Sequence, residues 1–352
     1  VAAATATTER RNGARTRALG IALALAVEAC GPSNPSRPST PAAPAPAPKP
    51  SAPASALDYA PSAGLHWLAF ARPAQIAADP ELSAALAGLL PASRLDAYAA
   101  STGVDLRKLP AGLVAGYELG VLYVAELPSP DAARVRERFA SRLTDGGIVK
   151  RVRPNIYRVS GTERDQALSL VSVENRVVAL ASSDLTLARV VEAYAERRLK
   201  SPTALRGAAL ATLPAPTSDD LVAFYAPGPF DGASLAGSTA PILASSLAAA
   251  VTVRKRTSTS LTMTATLSGD WPSEHDAQAE LHRVWGHLAA SPTGRLLGLD
   301  LAERVSLEHT ASRLAFSVEV PIAPLVKGLR ALTSANVPEI FDIIPKEPLT
   351  GP

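Results

Sequence analysis

The chain has one cysteine in 352 residues, Cys30. A single thiol excludes an internal disulfide and a thiolate metal cluster. Residues 57–352 need no such staple, because chains of that size bury about three-quarters of their unfolded surface. Long apolar runs are also missing. A membrane-spanning helix needs roughly 20 consecutive apolar residues, and the clearest run, Ala18 to Val27, has ten. Charge of one sign is scarce too. The formal net charge is +3, and residues 1–29 hold four arginines against Glu9 and Glu28, which leaves about +1 on the remainder. That is too little for a nucleic-acid partner, which needs a clustered basic face. Arginine outnumbers lysine 28 to 7, and alongside abundant alanine this reads as genome composition rather than phosphate recognition.

The positive signals begin at the N-terminus. A short basic stretch (Arg10, Arg11, Arg15, Arg17) precedes the apolar run Ala18 to Val27, and a tract crowded with Pro, Ala and Ser comes after it. This is the layout of a secretory signal. It ends in Val27-Glu28-Ala29-Cys30, which resembles the lipobox of bacterial lipoproteins and departs from that pattern at Glu28. The resemblance covers residues 1–30. It implies that Cys30 is acylated and becomes the first residue of a mature chain held at a membrane. Cleavage after Ala29 without acylation is the alternative, since Val27-x-Ala29 also fits a small-residue cleavage site. Arg10-Arg11 lacks the apolar residues that come after a twin-arginine pair, so general secretion is the expected route. Gly31 after the cysteine, in place of an aspartate, is what that family's sorting rule associates with the outer membrane, facing the periplasm.

Gly31 to Ala56 contains nine prolines in 26 residues. Proline fixes φ and deletes backbone donors, so this tract reads as a semi-rigid spacer reaching roughly 80 Å at about 3.1 Å per residue. From Leu57 the patterning is that of an α+β body. Leu261, Met263, Ala265 and Leu267 alternate with threonines, and Leu314, Phe316, Val318 and Val320 repeat the period of two. Ser129-Pro130 predicts a helix start carrying Ala132, Val135, Phe139 and Leu143. Ser273 with Asp276 predicts another, carrying Ala277, Leu281, Val284, Trp285 and Leu288. Ser183 is expected to cap a third. The element order recurs after residue 200, with a helix expected at 234–248. The expectation is therefore a duplicated β-α-β-β-α-β-β-α module, with antiparallel sheets and helices packed on one face. The division is a signal peptide at 1–29, cysteine and linker at 30–56, modules at 57–200 and 201–336, and a tail at 337–352. The body also looks like uncharacterised envelope α+β proteins, without a motif that secures the match.

No catalytic, cofactor or metal signature emerges. His275 and His282 stand about 10.5 Å apart along a helix, too far to share an ion, and all three of His275, His282 and His287 are expected on the exposed side. Gly232-Ala233-Ser234-Leu235-Ala236-Gly237 has the wrong spacing for a nucleophile elbow and fits a helix start with Ser234 as cap. Asp219-Asp220 fits a solvated loop, with acid/base or calcium chemistry as the alternative. Arg254-Lys255-Arg256 fits an exposed hairpin end or protected edge strand, with anionic lipid or another polyanion as the alternative. The expectation is a non-catalytic, membrane-tethered envelope lipoprotein that binds or scaffolds an envelope protein. The alternatives are a carrier of lipid or another apolar ligand, suited to a body with only 5% aromatics, and, further off, an envelope hydrolase.

Overall fold

The computed structural model of the protein describes residues 55–118, 120–144, 146–230, 241–271, 273–310 and 312–333. Cys30, the signal, most of the spacer, residues 231–240 and the C-terminal segment from 334 lie outside them. In chain order the elements are β1 (Leu65–Ala71), α1 (Pro73–Ala78), α2 (Pro80–Ala87), α3 (Ala92–Thr102), β2 (Gly112–Tyr117), β3 (Val121–Glu126), α4 (Ala132–Arg142) and β4 (Ile148–Arg153). Next come β5 (Ile156–Glu163), β6 (Gln166–Val173), β7 (Val177–Ser182), α5 (Thr186–Ala195), β8 (Asp220–Pro227), α6 (Pro241–Ala244) and β9 (Ser246–Lys255). The series ends with β10 (Ser260–Gly269), α7 (Glu274–Ala290), α8 (Pro292–Leu296), β11 (Glu303–Thr310), β12 (Arg313–Pro321) and α9 (Ile322–Thr333).

The twelve strands among the described residues form one antiparallel sheet in the order β11-β12-β10-β9-β8-β1-β2-β3-β7-β6-β5-β4. This overturns the expected duplicated module with helices on one face. The two stretches of chain meet at β1 and β8, whose pairing sets Leu68 against Tyr225 and Phe70 against Ala223. They are also unequal, with seven strands on one side of that seam and five on the other. Helices cover both faces. In β6, Leu168 and Leu170 share a core with Val135 and Phe139 of α4. The alternate residues Val171 and Val173 join Leu187 and Val191 of α5 on the opposite face. A strand buried on both faces loses its alternation and becomes a nearly continuous apolar run, as in Leu168-Ser169-Leu170-Val171-Ser172-Val173. Beyond β8 the alternation persists, because α7 covers one face there. Ala277, Leu281 and Ala289 pack on Leu314, Phe316 and Val318 of β12, while Thr262 and Thr264 of β10 lie on the other side.

Local starts differ from expectation in three places. Helix α4 begins at Ala132, past Ser129-Pro130, and its first turn is capped from a distance. Asn175, in the β6–β7 turn, accepts from Ala133 N through Oδ1 (3.2 Å) and donates from Nδ2 to Pro130 O. At α5 the capping acceptor is Asp184, whose Oδ1 takes the Thr186 N–H at 2.9 Å, while Ser183 sits at φ 68°. The helix expected through 248 is confined, among the described residues, to α6, and strand already begins at Ser246. Ser273 caps α7 as expected, accepting from Asp276 N at 3.3 Å.

Candidate functional site

The residues singled out in the sequence do not converge. Gly232 to Gly237 and Cys30 lie outside the described residues. On α7, His275 and His287 are exposed, but His282 is turned toward the sheet, edge-on to Phe316 at 5.8 Å with Nδ1 2.9 Å from Gln278 O. Among the described residues no three His, Cys, Asp or Glu side chains gather where a metal ion could be held.

Asp220 is not in a solvated loop. It opens β8 fully buried, and Arg254 Nε donates to it at 2.5 Å, Thr217 N at 2.5 Å and Thr217 Oγ1 at 2.9 Å. Burial by itself would raise its pKa; the donors from Arg254 and Thr217 outweigh it and hold the carboxyl below its usual value. Its neighbour Asp219 stays exposed. The basic run stands at the end of the β9–β10 hairpin, as expected, but not on an edge strand, because β9 lies between β8 and β10. Arg254 clamps Asp220. Lys255 reaches the other face to bind Asp79, which caps α2 through Leu82 N, and Glu81 at 2.9 Å. Hydrogen bonding to Lys255 lowers the Asp79 pKa, and the pair ties α2 to the sheet. These charges are structural fasteners.

One surface has no such structural account: the middle of the sheet on the side that carries α4 and α7. Directly opposed residues share a face, and the registers Trp67↔Gly116, Ala69↔Val114, Ala69↔Phe224, Val114↔Tyr123 and Phe224↔Val251 define it. At one flank Tyr123 opposes Leu180, which packs toward α4. At the other, Ala249 of β9 packs toward α7. Between these covers Trp67, Ala69, Val114, Tyr123, Phe224 and Val251 carry no charge. The wet face of an antiparallel sheet is ordinarily polar; this one is apolar and open. Tyr123 is 45% exposed, Phe224 40% and nearby Leu247 59%. Trp67 and Phe224 lie nearly parallel, with interplanar angle 17° and centroids 6.3 Å apart. The indole can lie flat only because its neighbour is glycine, as a Cβ on Gly116 would stand 2.4 Å from Trp67 Cε2 and Nε1.

The reverse side of the same strands is closed. Leu68, Phe70, Leu122 and Tyr225 are buried beneath α5 and the irregular segment after it. Three tyrosines latch the loops there, donating to proline carbonyls: Tyr117 to Pro61 (2.9 Å), Tyr194 to Pro202 (3.0 Å) and Tyr225 to Pro214 (2.9 Å). Burial raises all three phenol pKa values, which keeps them neutral donors. A cleft of about 170 Å³ beside Ser62, Leu65 and Leu210 is lined by small and apolar residues, and the Ser62 hydroxyl is already given to Pro202 O.

Sequence reasoning passes over this face because it looks for charged and nucleophilic groups. The signal that could have revealed it is in β1, where Trp67, Ala69 and Ala71 face one way and Leu68 and Phe70 the other, apolar on both sides.

No protein-family model matches the chain, and no curated protein sequence does. Among solved structures the chain is similar to crystal form III of TP0453, at 11% identity and TM-score 0.47, over 79% of this chain and 99% of that one. Crystal forms I and IV of TP0453 align with TM-scores of 0.43 and 0.42, at the same 11% identity. No assignment of function rests on a likeness at this level.

Proposed function

We propose that the protein is a lipid-anchored component of a bacterial envelope, held at the outer membrane through Cys30 and facing the periplasm. Its body is a non-catalytic binding module that receives a protein partner on the open apolar face around Trp67 and Phe224. The exposed face carries this reading. Monomeric soluble proteins seldom leave a contiguous apolar patch of several strands uncovered, and those that do use it for recognition. Aromatic anchors such as Trp67, Tyr123 and Phe224 are the residue types that dominate binding energy at interfaces. The proline-rich tract from Gly31 to Ala56 fits a spacer that lets such a surface work away from the bilayer. A carrier of lipid is supported less well. Small-molecule sites are enclosed volumes of about 300–1,000 Å³, whereas the cleft beside Ser62 offers about 170 Å³.

Two measurements test the proposal. Intact mass and membrane partition of the wild type against Cys30→Ala should show an acylated, membrane-bound chain that the substitution releases. An unmodified wild-type chain in the soluble fraction would end the tether. For the face, benzoylphenylalanine placed at position 224 in the intact envelope should photo-crosslink one partner of defined mass, and the same probe at the exposed hairpin residue Thr257 should not. Equal labelling from both positions would refute the binding surface.

A further inference from the structure

The apolar face lies on the side of the sheet where the described chain finishes. Helix α9 packs through Ile322, Leu325 and Val326 against Leu82 of α2 and against Leu261 and Val253. Val253 is two residues from Val251 on β9, so both point to the same side, and Val251 opposes Phe224. The chain that leaves α9 after Thr333 therefore starts on the open side of the sheet.

The C-terminal segment beyond α9 has a composition that suits this surface. Residues 334–352 include Ile340-Phe341-Asp342-Ile343-Ile344, four large apolar side chains in five positions, bracketed by Pro338 and Pro345. Ile340 is seven residues beyond Thr333, a span of up to about 25 Å at 3.3–3.6 Å per residue. From β9 across β8 to β1 is two strand spacings, about 10 Å. A tethered segment whose connection spans to its target meets it at up to about millimolar effective concentration.

We propose that Ile340–Ile344 of the chain's own C-terminal segment docks over Trp67 and Phe224, and that a partner must displace it to bind. This rests on the reading of that face as the binding surface. It makes the surface self-protected, which removes an aggregation hazard before a partner is met.

The test uses the full chain with benzoylphenylalanine at position 341. Irradiation at low protein concentration should give an intramolecular adduct, and digestion should map it to the peptides holding Trp67 or Phe224. Adducts formed only between two chains would overturn the proposal in favour of a second copy, and adducts mapping elsewhere on the body would overturn it outright. A second variant, with Ile340, Phe341, Ile343 and Ile344 all changed to serine, should leave Trp67 more open to iodide quenching and red-shift its emission. Phenylalanine at Trp271 and Trp285 isolates that signal. Unchanged quenching also counts against the proposal. If the position-341 adduct goes elsewhere while the position-224 probe still captures its partner, only the self-docking fails. If both fail, the reading of the face fails with it.

Discussion

Replacing Asp220 with asparagine should destabilise the protein by about 2–3 kcal/mol at neutral pH. Asp220 is fully buried and accepts four hydrogen bonds, from Arg254 Nε and Nη2, Thr217 N and Thr217 Oγ1. Hydrogen bonds to charged groups contribute about 1.5–3 kcal/mol, and a buried donor left unpaired costs a further 1–3 kcal/mol. Breaking a fully buried ion pair would cost about 3–5 kcal/mol. That upper range does not apply, because the Arg254 side chain is 47% exposed and can turn to solvent once its partner is neutral. At about 2 °C per kcal/mol for a chain of this size, thermal denaturation should show Tm lower by roughly 4–6 °C. The pH dependence is the sharper check. The folded-state pKa of Asp220 is lowered, so its contribution is present above the unfolded value of about 3.9 and is lost as pH falls through the folded value. The gap between wild type and Asp220→Asn should therefore be full near neutrality and close on acidification below about pH 4. A penalty under about 0.5 kcal/mol at pH 7, or a gap that persists once the wild-type carboxyl is protonated, would refute the account of Asp220 as a charge held in place by Arg254 and Thr217.

Two further substitutions probe how remote segments are joined. Asn175 combines a left-handed backbone, φ 56°, with side-chain bonds to the start of α4. By urea denaturation Asn175→Gly, which keeps the turn and loses the cap, should cost about 1 kcal/mol, and Asn175→Ala, which loses both, about 2 kcal/mol. Equal costs would show that the turn conformation is irrelevant. At Gly328 of α9 an alanine would gain up to about 1 kcal/mol of helix propensity on an open surface. Its Cβ would instead stand 2.1 Å from Leu296 O at the end of α8, rigid backbone that cannot yield, so Gly328→Ala should lower stability by about 1–3 kcal/mol. A stabilised variant would show that α8 and α9 do not approach as closely as described.

Local patterning carries a good part of the fold. The strands β10 and β12 and the helix Glu274–Ala290 fall where alternation and the Ser273 cap put them, since both signals are local and strong. Strand β9 instead starts at Ser246, inside the stretch expected as helix to 248. Element order is a poor guide to architecture by contrast. Repeated order suggests two modules, but order says nothing about which strands meet, and the β1–β8 pairing joins residues some 150 positions apart into one sheet. Alternation in β10 suggests helices on a single side, whereas the continuous apolar run in β6 and β7 signals the opposite, two covered faces. The basic run at Arg254–Arg256 resembles an edge because charge protects edges; in an interior strand the same charges serve Asp220, Asp79 and Glu81.

The sequence by itself determined the single thiol, the proline-rich composition of residues 31–56 and the periodicities of most elements. These are properties of composition and of neighbours along the chain. Only the tertiary structure decided that the strands form one sheet, that α4 and α5 lie on opposite faces, and that Asp220 is buried against Arg254. It also decided that Trp67, Tyr123 and Phe224, drawn from β1, β3 and β8, share one open apolar surface. Pairing between distant strands is set by the joint burial of many side chains, a quantity that no window of sequence contains.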